Sequence, residues 1–247
     1  NIPDHVEESE KVGREDFTNH VIVTIDGDDA KDFDDAVEAK KVGDNYQIGV
    51  HIADVAHYVK KDQPLDVEAL NRATSLYVQD RVVPMLPFQL SNGICSLNPN
   101  VERLVTSCLF TIDKSGNVLD SKICKGVIKS YKRCTYNEVN QFLKVDRYQK
   151  DPSEYSEVER LWIDLLDAAS IIRKKRQKMG GLELESVELK FKINSEGQPY
   201  DVEKRKQDVG EELIEDLMIK ANEIVASTIE RNFRWFSVSM KSRGQNV

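Results

Sequence analysis

The most constraining feature of the sequence is an apolar run that leads without a break into a dense group of carboxylates. Val21–Ile25 (VIVTI) contains only β-branched residues, which is typical of a buried strand. Six of the ten residues in the segment Asp26–Asp35, here called the acidic loop, are aspartates. Two carboxylates about 4 Å apart repel each other by roughly 1 kcal/mol in water and about 4 kcal/mol near a protein surface. A fold that fixes this loop at the end of a buried strand therefore needs cations or hydrogen bonds to offset the repulsion.

The residue types in the acidic loop indicate which cation it would bind. Oxygen ligands without histidine or cysteine favour magnesium, manganese or calcium over zinc or copper. A calcium-binding EF-hand loop that began at Asp26 would require Asp or Asn, Gly and Glu at positions where the sequence has Ala30, Lys31 and Val37. Magnesium held by a few carboxylates and a substrate phosphate is the better match. An acidic surface turn without a ligand is the alternative.

Composition restricts the class of protein only weakly. The formal net charge is −8 and 40% of the residues are hydrophobic, which fits a globular protein and not a basic nucleic-acid coat. An enzyme that holds cations beside a nucleic acid can be acidic, because its carboxylates bind the metal. No stretch approaches the roughly 20 apolar residues of a membrane helix. The four cysteines lack the spacing of a zinc site, so we expect buried thiols and a cytoplasmic location.

The order of the predicted elements indicates a mixed α/β (α+β) fold. Residues 36–53 and 105–130 alternate and turn as two β-hairpins. Residues 158–172 and 213–225 repeat apolar side chains at helical spacing, and the first of these helices is preceded by a serine–glutamate capping box. The first half of the chain is therefore predicted to be rich in strands and the second half rich in helices.

Four long segments of the sequence resemble one known family. VTIDGDDAKDFDDAVEA, YQIGVHIADVAHYV, TSLYVQDRVVPMLP and LSNGICSLNPNVERL are similar to the catalytic domain of the ribonuclease II/ribonuclease R (RNB) family, and most similar to its ribonuclease R group. The resemblance runs from about Arg14 to Ala226. It implies an RNB-type catalytic fold that uses magnesium, with manganese as a possible substitute and no other cofactor. It also implies processive hydrolysis of RNA from a single-stranded 3′ end to nucleoside 5′-monophosphates.

The same resemblance assigns the metal ligands. The family's magnesium-binding aspartates correspond to Asp26, Asp32, Asp34 and Asp35, and Asp34 corresponds to the one that cleavage needs most. The remaining two aspartates of the acidic loop match less critical positions, and solvated surface charge is the favoured interpretation for them.

Two positions correspond to the family's contacts with the terminal nucleotide of RNA. Tyr77 corresponds to the tyrosine that packs against this nucleotide, and base stacking on an aromatic ring contributes roughly 1–3 kcal/mol without reading sequence. Without the resemblance, Tyr77 would be interpreted as a half-buried strand residue. A second aromatic residue of the family is replaced here by Leu184, which can pack against a base but cannot stack on it. The resemblance therefore implies a weaker clamp on the RNA.

Two further groups of residues have structural as well as functional interpretations. His51 and His57 flank Asp54 and could form a metal or acid–base cluster, although a structural role is favoured. The basic residues of 173–178 lie at the end of a predicted helix. Such runs more often complement the helix dipole than follow nucleic-acid phosphates.

The resemblance divides the chain into three segments. Residues 1–20 are predicted to be a leader or linker, residues 21–230 the N-terminal part of the catalytic domain, and residues 231–247 a divergent tail that packs poorly. In the family, an arginine and a glutamate near the scissile phosphate lie further along the domain. We therefore expect a domain that is incomplete at its C-terminal end, with reduced activity or none. An inactive RNA-binding or interaction remnant of the same fold is the alternative.

Overall fold

The alternating segments of the first half pair into one seven-stranded sheet, and the amphipathic segments of the second half form helices that pack on it. The computed structural model describes residues 2–78, 81–180, 187–194 and 198–232. In chain order the strands are β1 (Glu15–Phe17), β2 (Val23–Asp26), β3 (Asp35–Val42), β4 (Asn45–Ala53), β5 (Leu76–Val78), β6 (Arg81–Val83), β7 (Glu102–Ile112), β8 (Val118–Lys129), β9 (Lys132–Thr135), β10 (Val187–Ile193) and β11 (Pro199–Lys206). The helices are α1 (Val55–Tyr58), α2 (Pro64–Arg72), α3 (Tyr136–Lys144), α4 (Glu157–Lys178) and α5 (Val209–Asn232), with shorter helical turns at Glu8–Lys11, Gln89–Ile94, Asp146–Tyr148 and Pro152–Glu154.

The strand order of the main sheet is β1-β8-β7-β4-β3-β2-β9. Both edge strands run parallel to their neighbours, whereas the inner neighbours are antiparallel. The two predicted hairpins are confirmed as β3–β4 and β7–β8, and β5–β6 and β10–β11 form separate two-stranded sheets. The mixed α/β fold, with strands first and helices later, is also confirmed. This order places β2, which ends at Asp26, between β3, which begins at Asp35, and β9.

Hydrophobic cores lie on both faces of the sheet, because successive side chains of a strand point to opposite faces. On one face α3, α4 and α5 pack against strand residues such as Val37 and Phe110. The other face carries a second core that includes Ala36, the loop residue Leu97 and Phe33 of the acidic loop. The acidic loop is therefore anchored in a core by its own aromatic side chain.

Helix α4 begins at the predicted capping box. The Ser156 hydroxyl accepts a hydrogen bond from the Glu159 backbone N–H at 3.2 Å, and the Glu159 carboxylate accepts one from the Ser156 N–H at 2.7 Å. These two bonds satisfy donors that the first turn of a helix otherwise leaves without a partner.

The substitution Ser156→Ala is expected to lower the free energy of unfolding by about 1 kcal/mol, the usual contribution of an N-cap side chain. Urea denaturation followed by circular dichroism measures this change. The matched control is Ser227→Ala, at an exposed position inside α5, where alanine is the better helix former and no loss is expected. Equal losses in the two variants would contradict the capping role.

The structure corrects the prediction that residues 1–20 are a leader or linker. Glu15–Phe17 forms an edge strand that pairs in parallel with β8, and the Phe17 side chain is only 6% exposed. Arg14 also donates to the buried carboxylate of Asp54 at 2.8 Å. A three-residue strand is too short to show a periodic pattern, so the sequence could not reveal it.

All four cysteines are free, and Cys95, Cys108 and Cys134 are buried while Cys124 is half-buried. None of the helices in the described ranges has the apolar length that crossing a bilayer requires. Beyond its first two residues, the predicted tail of 231–247 lies outside the residues that the structure describes.

Candidate functional site

The acidic loop is the connection between β2 and β3. Ile22, Val23 and Ile25 are buried, so β2 carries Asp26 to the edge of the protein interior. The strands β2 and β3 pair only through Val23 and Val37, and then separate to make room for the loop. Burial of β2 thus fixes the start of the acidic loop and keeps its mutually repelling carboxylates close together.

One end of the loop is held by the segment that follows the helical turn Gln89–Ile94. The Ser96 hydroxyl accepts a hydrogen bond from the Phe33 N–H at 3.0 Å and donates one to the Lys31 carbonyl at 3.1 Å. The Leu97 N–H donates to the Phe33 carbonyl at 2.9 Å. These bonds fix the backbone on either side of Asp32.

The other end of the loop is held by the junction of β9 and α3. The Arg133 guanidinium donates to the carbonyl oxygens of Gly27 at 3.0 Å and Asp28 at 2.7 Å. Asn137, in the first turn of α3, donates to the Asp28 carboxylate. The sequence alone indicates no role for Ser96, Arg133 or Asn137, because only the fold brings them to the loop.

The four predicted metal ligands lie within electrostatic reach of one another. Burial and the charge of Asp35 raise the pKa of Asp26 to about 7, although the Arg133 guanidinium opposes this shift. Burial and the charge of Asp34 raise the pKa of Asp35 to about 6. Burial and the charge of Asp32 raise the pKa of Asp34. The structure therefore brings the four aspartates into one mutually repelling group.

This group has the donor chemistry of a site for a hard cation. The Asp26 Oδ2 atom is buried and has no hydrogen-bond partner among the described residues, which is costly for a carboxylate unless a cation lies beside it. Within the ranges that the structure describes, no three His, Cys, Asp or Glu side chains converge as a complete set of metal ligands. Magnesium needs only one or two carboxylates, with water and substrate phosphate as its other ligands. The aspartates fit magnesium on this basis.

Tyr77, on β5, lies beside the acidic loop. The charge of Asp32 raises the pKa of the Tyr77 hydroxyl, with smaller effects of burial and of Asp34. The Tyr77 side chain is nevertheless 69% exposed, so its ring is accessible to a ligand. The structure thus places a free aromatic ring next to the carboxylates. Leu184, the other predicted RNA contact, lies outside the described residues.

The histidines take the structural role that the sequence analysis favoured. His51 is buried with its Nδ1 atom 2.8 Å from the Ser107 hydroxyl oxygen. His57 Nε2 lies 2.7 Å from the Glu10 carboxylate. Asp54 pairs with Arg14 and Lys125, and the Arg14 guanidinium also lies 3.2 Å from His57 Nδ1, so Arg14 links His57 to Asp54 in an ion-pair network away from the acidic loop.

The basic residues at the end of α4 are engaged largely within the chain. Arg173 and Arg176 pair with the buried carboxylate of Asp216 on α5, at 2.7 and 2.9 Å. Lys175 donates to the Asn117 side-chain oxygen at 2.8 Å. These contacts join α4 to α5 and to the β7–β8 turn, which favours the structural interpretation of this run.

Comparison with known proteins agrees with the fold. The family model of the RNB domain matches residues 14–240, which extends past residue 231, where the tail was predicted to diverge. Ribonuclease R 1 of Lactococcus lactis is 45% identical over 231 residues, or 93% of this chain and 28% of that protein. Ribonuclease R of Thermotoga maritima is 47% identical over 234 residues, or 93% of this chain and 32% of that protein. The chain thus spans less than a third of the length of these relatives.

A solved structure shows the same architecture. RNase R of Mycoplasma genitalium, in complex with ribose methylated single-stranded RNA, superposes with a TM-score of 0.85 and 33% sequence identity. The superposition covers 92% of this chain and 35% of that one. The described sheet and helices are therefore an arrangement that recurs in a protein bound to RNA.

Proposed function

The chain belongs to the RNB-domain family, and from this premise we propose that it carries the metal-binding part of a 3′-to-5′ exoribonuclease, which hydrolyses single-stranded RNA to nucleoside 5′-monophosphates with magnesium. The observation that supports this most strongly is the position of the exposed Tyr77 ring beside the aspartates of the acidic loop. A phosphodiester held between an aromatic ring and a bound cation is in the position that hydrolysis requires.

The proposed mechanism divides the work between the carboxylates and the tyrosine. Magnesium, when bound, supplies positive charge that activates a water molecule and stabilises the negative charge of the reacting phosphate. Asp26, whose pKa is raised to about 7, is partly protonated at neutral pH, whereas Asp35, whose pKa is raised to about 6, is largely ionised there. Both side chains would be ionised when they hold the cation. Asp32 and Asp34 complete the negative group at the mouth of the loop. Tyr77 stacks on the terminal base without reading its identity.

The function is tested with a 5′-labelled single-stranded RNA and a circular RNA of the same sequence. Slow magnesium-dependent shortening of the linear RNA, absent in EDTA, is expected together with release of nucleoside 5′-monophosphates, because an incomplete catalytic domain should have reduced activity. The circular RNA has no 3′ end and should remain intact. Cleavage of the circle would assign an endonuclease instead. RNA binding by the folded protein without any shortening would assign the inactive remnant.

Replacing Tyr77 by alanine is expected to weaken binding of single-stranded RNA by about 1 kcal/mol, or roughly fivefold in Kd, because one stacking surface is lost. Tyr77→Phe keeps the ring and should bind within about twofold of the wild type. Fluorescence anisotropy with a labelled oligonucleotide in EDTA measures both values without cleavage.

The matched control for this prediction is Tyr148→Ala. Tyr148 is similarly exposed, at 72%, but it lies beyond α3 and contacts the neighbouring Arg147 rather than the acidic loop. RNA affinity should be unchanged in this variant. Equal weakening by the two alanine substitutions would remove the specific role of Tyr77.

A further inference from the structure

Arg133 is placed to control the shape of the acidic loop. It lies on β9, directly opposite Thr24 of β2, two residues before the strand reaches Asp26. Its guanidinium donates to two successive carbonyl oxygens of the loop, those of Gly27 and Asp28, and lies 5.2 Å from the centre of the Phe33 ring. The Arg133 side chain therefore contacts both the start of the loop and Phe33, the residue that precedes Asp34.

The contacts of Arg133 are set by the fold around it. Its Nε atom is buried and has no hydrogen-bond partner among the described residues, whereas the residue as a whole is half-buried, so the inner edge of the guanidinium lies within the protein. Asn137 adds a third bond from the same junction to the Asp28 carboxylate. With Ser96 holding Phe33 from the opposite side, the loop is clamped at both ends.

We propose that Arg133 is the positioning residue of the metal site, which holds the acidic loop in the conformation that keeps its aspartates together. The inference rests on the proposed function, because it presumes that these aspartates bind a divalent cation. The Arg133 side chain has no atom that could bind a cation, so it acts through the backbone of the loop.

Because Arg133 is positively charged, an electrostatic role and a positioning role predict opposite changes in the affinity for a cation when it is replaced. A positive charge beside a cation site weakens binding of the cation, so electrostatics alone predicts tighter binding when Arg133 is replaced by a neutral residue. Positioning predicts the opposite. Both carbonyl bonds come from one terminal nitrogen of the guanidinium, whose planar group also lies over the Phe33 ring. Lysine retains the charge, but its side chain is shorter and it has no planar group to lie over this ring, so it should keep the repulsion and lose the positioning.

The experiment measures Mn²⁺ binding to the full 247-residue chain, without RNA, by the electron paramagnetic resonance signal of free Mn²⁺. Arg133→Gln is expected to weaken the affinity about tenfold, the lower range for residues that orient metal ligands. Arg133→Lys should weaken it further, and Asn137→Ala by roughly threefold, since it removes one bond and no charge. The matched control is Arg147→Gln, because Arg147 also covers an aromatic ring and has a buried Nε but contacts Tyr148 instead of the loop.

The outcomes separate this inference from the proposed function. Tighter Mn²⁺ binding in Arg133→Gln, or unchanged binding in both Arg133 variants, would overturn the positioning role while leaving the metal site intact. Affinity lost equally in Arg147→Gln would also overturn it. If the wild type binds no Mn²⁺, or if Asp34→Asn binds Mn²⁺ as tightly as the wild type, both the metal site and the inference fail. Thermal melting by circular dichroism confirms that every variant is folded at the assay temperature, so a loss of affinity reports on the site.

Discussion

Asp34→Asn is expected to reduce magnesium-dependent shortening of RNA by about a hundredfold to a thousandfold, because it removes one negative charge from the group that would hold the cation. The substitution preserves the size of the side chain. The Asp34 side chain is partly open to solvent although burial raises its pKa, and the hydrogen bond from the Ala53 N–H goes to its backbone carbonyl, which the variant retains. The fold should therefore be unaffected, and RNA affinity in EDTA should stay within about twofold, since Tyr77 is unchanged.

The matched control for this loss is Asp44→Asn. Asp44 lies in the turn between β3 and β4, at the opposite end of β3 from the acidic loop, and is exposed. The rate of shortening should equal that of the wild type. A wild-type rate in Asp34→Asn would falsify the assignment of the acidic loop as the metal site, and parallel loss of RNA binding would point to misfolding instead.

The second large effect is on stability and depends on pH. In EDTA, Asp26→Asn is expected to stabilise the protein relative to the wild type, and the difference should grow by about 2 kcal/mol between pH 5 and pH 8. The folded pKa of Asp26, about 7, lies above its ordinary value of 3.8. The folded wild type therefore binds more protons than the unfolded chain in this window, and its stability falls as pH rises through about 7. The full pKa shift, at roughly 1.4 kcal/mol per pKa unit, would give a larger change in the free energy of unfolding. Partial solvent exposure of the Asp26 side chain reduces the expected change to about 2 kcal/mol.

Urea unfolding at pH 5 and pH 8, followed by circular dichroism, measures this difference. Comparing the two proteins at each pH removes the contribution of every other titrating group. The matched control is Asp44→Asn, at an exposed turn away from the acidic loop. Adding magnesium at pH 8 should stabilise the wild type more than the variant, since a ligand that binds only the folded state adds to its stability. A constant gap between wild type and Asp26→Asn at both pH values would mean that Asp26 titrates normally.

Local patterns were enough to predict much of the fold. The β-branched run before Asp26, the two hairpins and the capping box at Ser156 are confirmed, because each depends on neighbours within a few residues along the chain. The helix α3 was not predicted. It has only nine residues, and the burial of Val139, Phe142 and Leu143 that stabilises it comes from packing against the sheet and the other helices.

The candidate site shows the same division. The sequence by itself determined the density of aspartates and their attachment to a buried strand, and family resemblance singled out Asp26, Asp32, Asp34, Asp35 and Tyr77. Only the tertiary structure decided which side chains surround them.

Arg133 contacts Gly27 across 106 residues and Asn137 contacts Asp28 across 109, because β9 pairs in parallel with β2 at the edge of the sheet. A parallel pairing of distant strands leaves no periodic signal in the sequence of either strand. A single arginine in such a strand would be interpreted from the sequence as a surface charge. The positive charge of Arg133 and the hydrogen bonds of Arg133 and Asn137 therefore reach the acidic loop because of the strand order in the sheet. That order depends on the free energy of the whole fold and not on any local pattern.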